Sequence, residues 1–132
     1  MKASLVWIGC LSALLAGCLG EDCGFQVLSE SKSPDSKYIA AIVASNCGAT
    51  TPFARHVMLR ESTEGFDGEN RNNTIFTERG TRSIDVRWLD STHVVIRRIP
   101  NQDDIFKELE SWKGITISYV ADWPDGTTKP SL

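Results

Sequence analysis

Four cysteines and two histidines are the side chains with the widest chemical reach in this chain. A thiolate can act as nucleophile, metal ligand or half of a disulfide, and an imidazole as base or ligand near neutral pH. Cys47 and His56 could form a nucleophile–base pair, but only if the thiol is free. His56 or His93 could serve as a general base, although on a strand surface a histidine is far more often just a polar side chain. No Cys-x-x-Cys occurs, and two histidines do not complete a zinc ligand set, so no metal is expected. Asp67, Glu69, Asn70, Asn72 and Asn73 concentrate oxygen ligands, yet their spacing misses the calcium-loop pattern with its glycine at the sixth position. Gly-x-Ser-x-Gly, a glycine-rich phosphate loop and His-Glu-x-x-His are all missing. The expectation is therefore no catalytic residue, no cofactor and no enzyme. Arg87 and Arg97, with Arg79 and Arg82 near them in sequence, could meet anionic lipid or glycan, against the weightier reading of a solvated strand face.

The segment that would position the cysteines runs from Cys23 to Cys47. Two strand-like runs flank Pro34-Asp35-Ser36, where proline presets φ and aspartate can bond to nearby backbone. Folding the chain at Asp35 makes opposing residue numbers sum to about 70, by the hairpin rule that the turn sets the register. Val27 then faces Val43, Leu28 faces Ile42, and Cys23 faces Cys47. Facing strand positions suit disulfide geometry, and a bond closing a loop of this length is worth about 3 kcal/mol in the chain-entropy model.

Lys2 is the only charge before Glu21, and between them lies the apolar run Ala3 to Leu15. Such a run matches a signal-peptide core and is short for a bilayer span. It ends in Leu15-Ala16-Gly17-Cys18, which resembles the bacterial lipobox. The resemblance implies that 1–17 is a lipoprotein signal peptide and that Cys18 is lipidated, palmitate among its acyl chains. It implies a membrane-bound, periplasm-facing envelope protein, and Leu19 after the cysteine favours the outer over the inner membrane. Cys10 would be discarded with the signal and Cys18 used by lipid. Cys23 and Cys47 then remain as the pair available to each other in an exported, disulfide-permissive setting. The tether 18–22 is short: Leu19 to Asp22 spans at most about 14–18 Å.

Removing 17 of the 132 residues leaves 115, enough for one domain with a modest core. Without Lys2 the 14 basic residues become 13 against 17 acidic ones, a net charge of −4. That balance argues against general nucleic-acid binding. The β domain is expected at 23–121, followed by a flexible tail at 122–132.

The mature chain reads as strands. Tyr38 to Ala44 is almost continuously apolar, as in a strand covered on both faces. In Arg55–Arg60, Val57 and Leu59 alternate with His56, Met58 and Arg60. Ser62 to Asn73 reads as a long mobile loop, and Thr74–Thr77 as a short strand before a turn at Gly80. Ile84, Val86 and Trp88 continue across Asp90-Ser91-Thr92 into Val94 and Ile96. A register sum of about 182 keeps that face on one side and sets Asp85 opposite Arg97 as a surface ion pair. Asp103–Lys113 reads as extended or irregular, with a short helix as the alternative, and Ile115–Tyr119 as an alternating strand. About seven short strands with a core of Val27, Ile42, Val43, Val86, Trp88, Ile96, Ile115 and Ile117 predict an all-β fold, a small antiparallel β-sandwich or barrel-like domain with one disulfide.

Ser33-Pro34-Asp35-Ser36-Lys37 resembles the turn of β-propeller blades, but a propeller needs about four to eight blades of some forty residues, more chain than exists here. The same turn, Cys47-Gly48-Ala49-Thr50-Thr51 and Val86-Arg87-Trp88 together resemble small uncharacterised bacterial envelope proteins, in which glycine commonly stands where this chain has Ser36. The resemblance implies a fold and transfers no activity. The function expected is a non-enzymatic binding or structural module at the membrane surface with an envelope protein or glycan partner. The alternative is an inhibitor of secreted enzymes or a toxin-neutralising, immunity-type lipoprotein.

Overall fold

A computed structural model describes residues 23–48, 53–100 and 102–126. Two sheets carry the described chain. The first contains β1 (Gly24–Lys32), β2 (Tyr38–Asn46), β3 (Ala54–Glu61), β4 (Thr74–Arg79) and β7 (Ile105–Glu108), in the order β1-β2-β3-β4-β7. The second contains β5 (Asp85–Asp90), β6 (His93–Arg97), β8 (Ser111–Trp112) and β9 (Ile115–Val120), in the order β5-β6-β9-β8. The all-β expectation therefore holds, with nine described strands where the sequence suggests about seven. All pairings are antiparallel except β6 with β9, which run parallel.

The core lies between the sheets. Ala40, Ile42, Val57, Leu59 and Phe76 from the first sheet meet Val86, Val94, Ile96, Ile115 and Ile117 from the second. Trp88 packs at its margin, half-buried, and its indole N–H donates to the Ser31 carbonyl at 3.0 Å. Val27 and Val43 do not join this core. They lie on the outer face of the first sheet with Ala41, Met58 and Phe25, a second and smaller apolar cluster. The nearly unbroken apolar run in β2 is explained by this, since both faces of the strand are covered.

The first hairpin has the expected register as far as Val27 opposite Val43, and then slips by one, with Ser29 opposite Ile42. Leu28 is bulged out of the pairing. Without the bulge Glu30 would face Ala40 on the core side. With it, Glu30 faces Ala41 on the outer side, where Arg60 Nη2 reaches its Oε1 at 2.8 Å. A single-residue shift turns every later side chain over, and here it keeps a carboxylate out of the core. The turn itself is tied by Asp35, whose Oδ1 accepts from Ser33 Oγ at 2.6 Å and from the Lys37 amide at 3.2 Å. Those bonds, that from Ser33 foremost, hold the Asp35 carboxyl below its ordinary range. Ser36 adopts φ +60°.

β5 and β6 pair as expected, with Val86 opposite Ile96 and Asp85 opposite Arg97. The anticipated Asp85–Arg97 ion pair is not formed. Asp85 Oδ2 instead accepts from the Trp123 indole at 3.1 Å. Trp123 is buried on this outer face, and the Arg87 guanidinium lies 3.9 Å from its ring centroid. Within the described segment 122–126, Trp123 alone is thus seated, by the Asp85 carboxylate and the Arg87 guanidinium, while Asp122 and 124–126 stay exposed. Residues 127–132 lie outside the described residues. The Asp103–Lys113 region is extended: a single 3-10 turn at Gln102–Asp104 leads into β7. Lys113 and Gly114 both have positive φ, the two-residue turn that suits the β8–β9 hairpin. Arg98 clamps Glu108 with two bonds of 2.9 and 3.0 Å, fastening the end of β6 to β7 across the sheets.

Candidate functional site: a roofed cleft on the first sheet

Alternation along β3 sends His56 and Met58 to the outer face while Val57 and Leu59 go inward, as read from the sequence. Strand order then sets the neighbours of His56. Thr77 faces it on β4, and Ser45 lies diagonally across on β2. His56 Nε2 is 2.7 Å from Ser45 Oγ, and Nδ1 is 3.0 Å from Thr77 Oγ1. The three side chains form a hydrogen-bonded row across three strands. A neutral imidazole has one donor and one acceptor nitrogen, and a hydroxyl can serve either, so the row is satisfied in both tautomers. Burial pushes the His56 pKa below its ordinary value, because it disfavours the imidazolium.

The segment between β3 and β4 roofs this face, in contrast to its reading as a mobile loop. Asp67 Oδ1 accepts the Glu69 amide at 2.9 Å, and Asn70 Oδ1 accepts the Asn72 amide at 3.2 Å. A 3-10 turn follows at Arg71–Asn73, with Asn73 buried. Two side chains fasten it from outside: Lys107 Nζ donates to the Arg71 carbonyl at 3.1 Å, and the Trp112 indole to the Asn72 carbonyl at 2.9 Å. Gly68 sits against the ring of Phe25. Between this roof and the sheet is a cavity of about 290 Å³. Phe25 and Met58 give it apolar walls, the His56 row a polar one, and Arg71 and Lys107 a cationic rim, with Glu69 beside them.

The disulfide borders the same cleft. Cys23 and Cys47 are bonded, with Cα atoms 4.0 Å apart, as the hairpin register requires. The bond consumes the thiol that a Cys47 nucleophile would need. Cys18 and the tether lie outside the described residues. His93 is remote, on the second sheet, with Nε2 2.8 Å from Ser118 Oγ. The four arginines do not converge: Arg79 stacks on Phe106, Arg82 pairs with Asp104 at 3.0 Å, Arg87 with Asp125 at 3.2 Å, and Arg97 Nε is buried without a partner. The Asp67 and Asn70 oxygens are turned onto loop amides, and no group of three or more His, Cys, Asp or Glu suited to a metal occurs among the described residues.

Ser45, Thr77, Gly68 and Phe25 were not legible as site residues. Period-2 alternation could have placed Ser45 with Val43 on one face, but only the order of strands brings Thr77 beside His56. Glu78 gives no such signal in the sequence either. It is 1% exposed, its Oε1 lacks a partner, and burial raises its pKa. Comparison with protein families, with curated proteins and with solved structures gives no match to this chain.

Proposed function

We propose that this chain is a lipid-anchored envelope protein, held by acylated Cys18, that works by binding and not by catalysis, with the cleft around His56 as its ligand site. The observation that carries the reading is the roofed cavity itself. It joins an apolar wall to a polar row and a cationic rim, the mixture a ligand pocket uses for affinity and orientation. The volume suits an apolar side chain of an envelope protein or one sugar unit of a glycan.

The His56 row supports binding over hydrolysis. A serine–histidine pair becomes a strong nucleophile when a third group orients and stabilises the imidazolium, commonly a carboxylate. Here the second nitrogen meets a threonine hydroxyl, which is neutral. The Ser45 backbone lies in the middle strands of a sheet, where amides serve the ladder and leave no donor pair for an oxyanion.

The test is photocrosslinking from position 58 in the full chain expressed in its own cells. Capture of one envelope protein or glycan, lost when Gly68→Leu drives the roof off Phe25 and opens the cleft, is expected. Covalent labelling of Ser45 by a fluorophosphonate would overturn the non-catalytic reading. Labelled palmitate reports on the anchor independently: its absence from Cys18 would remove that part. Protection of cells against added lysozyme or a competitor toxin would move the reading to the inhibitor class.

A further inference from the structure

Pairing registers line up one end of the first sheet. Gly24, which follows Cys23, faces Asn46; Ser45 faces Ala54; Ala54 faces Arg79; and Glu78 faces Ile105 at the start of β7. Phe53, just before β3, accepts the Gly80 amide at 2.7 Å through its carbonyl. The Arg79 guanidinium lies 4.9 Å from the Phe106 ring centroid. Phe53, Arg79 and Phe106 therefore follow one another along this end, and the phenylalanines are 55% and 60% exposed. Ile99, also exposed, lies in the connection that delivers the chain from β6 to β7.

We propose that this end of the first sheet docks on the lipid bilayer, with Phe53 and Phe106 inserted at the interface and Arg79 at headgroup phosphates. The inference rests on the reading that Cys18 is lipidated. The reason for naming lipid as the occupant is the tether. Leu19 to Asp22 reaches at most about 14–18 Å, whereas a nine-residue strand such as β1 is about 30 Å long. The end that begins at Cys23 is therefore kept within reach of the membrane, whereas the Ser33–Lys37 turn, a strand length further on, is under no such constraint. Exposed phenylalanines beside a cation at that end match how interfacial proteins bind: apolar rings enter the acyl boundary and a guanidinium on a flexible stem reaches the phosphate. Leu89, exposed as well, belongs to the opposite end, next to Trp88 and its bond to Ser31. A lone apolar side chain there is ordinary.

The experiment places p-cyanophenylalanine at 53, at 106 or at 89 in the full, processed chain, reconstituted in vesicles of phosphatidylethanolamine and phosphatidylglycerol. The nitrile stretch at 53 and 106 should shift from its hydrated to its apolar frequency on moving from detergent-free buffer to vesicles, while that at 89, at the opposite end, stays hydrated. Fatty acid on Cys18 is measured in the same preparation. Acylated Cys18 with hydrated nitriles at 53 and 106 overturns the docking and leaves the anchor standing. Unacylated Cys18 overturns the anchor and the docking with it. Nitriles that stay hydrated in pure lipid but become apolar in native membranes also overturn the proposal, since a protein and not the bilayer then covers this end.

Discussion

Gly68 lies directly over the ring of Phe25: a Cβ built on the glycine would stand 2.4 Å from the Phe25 Cγ and 2.9 Å from its Cβ. Those are the root atoms of the side chain, so the ring cannot swing aside by a small torsion. The segment that roofs the cleft approaches β1 only because nothing projects from residue 68.

Gly68→Ala is therefore expected to lift the roof. Its cost should be about 1–3 kcal/mol, the range for forcing extra volume into a packed contact. Urea midpoints measure that cost, and amide exchange across 62–73 should rise while the strands stay protected. Unchanged exchange in this segment would show that the contact does not hold it.

His56 makes stability depend on pH. Its pKa is lowered by burial from the ordinary 6.5, so the folded state binds fewer protons than the unfolded state between those two values. Stability is then fully present above about pH 6.5 and is lost as pH falls toward the depressed folded value. Urea unfolding from pH 8 to pH 5 should show this loss, and His56→Gln should flatten it. An identical slope in the variant would assign the effect elsewhere.

Ser36 sits at φ +60°, in the left-handed region. A side chain costs about 1–2 kcal/mol there, whereas glycine brings an unfolded-state entropy cost of about 0.5–1 kcal/mol. Ser36→Gly should stabilise the protein by roughly 0.5–1 kcal/mol, read as a higher thermal midpoint. A lower midpoint would mean that the Ser36 side chain contributes more than its strain removes.

Replacing Cys23 and Cys47 by Ala should weaken the fold by about 2–4 kcal/mol and keep its β-sheet circular dichroism. The described contacts of β1 with β2 and the core do not depend on the bond, so a coil spectrum would contradict this.

The local half of this fold is legible in the sequence. The two hairpin registers follow from turn centres and side-chain parity, and parity also puts His56 and Met58 together outside. The Leu28 bulge is hidden because it is set by where Glu30 must go, which is known only once Ala40 is seen to be core. The parallel pairing of β6 with β9, the roof over Phe25 and the seat of Trp123 all join distant parts of the chain, and alternation along one strand carries no information about which strand lies beside it. For the same reason the Ser45–His56–Thr77 row is visible one residue at a time but not as a row.

The parallel β6–β9 pair has a consequence for a chain that is made N-terminus first. β2, β3 and β4 each pair with the strand made just before, so that part of the first sheet can assemble as it emerges. β6 cannot: the neighbour that covers its free edge is β9, the last of the described strands, and β7 crosses to the other sheet in between. Until Ile115–Val120 arrives, β6 offers an open edge with apolar residues on one side, the arrangement that recruits other chains. A chain cut before Ile115 should form β-structure yet associate through β6, and sedimentation of the truncated chain with and without a Val95→Lys edge charge would read this out. Completion of β9, not the closing of the first hairpin, is then the step after which the chain is safe among its own copies.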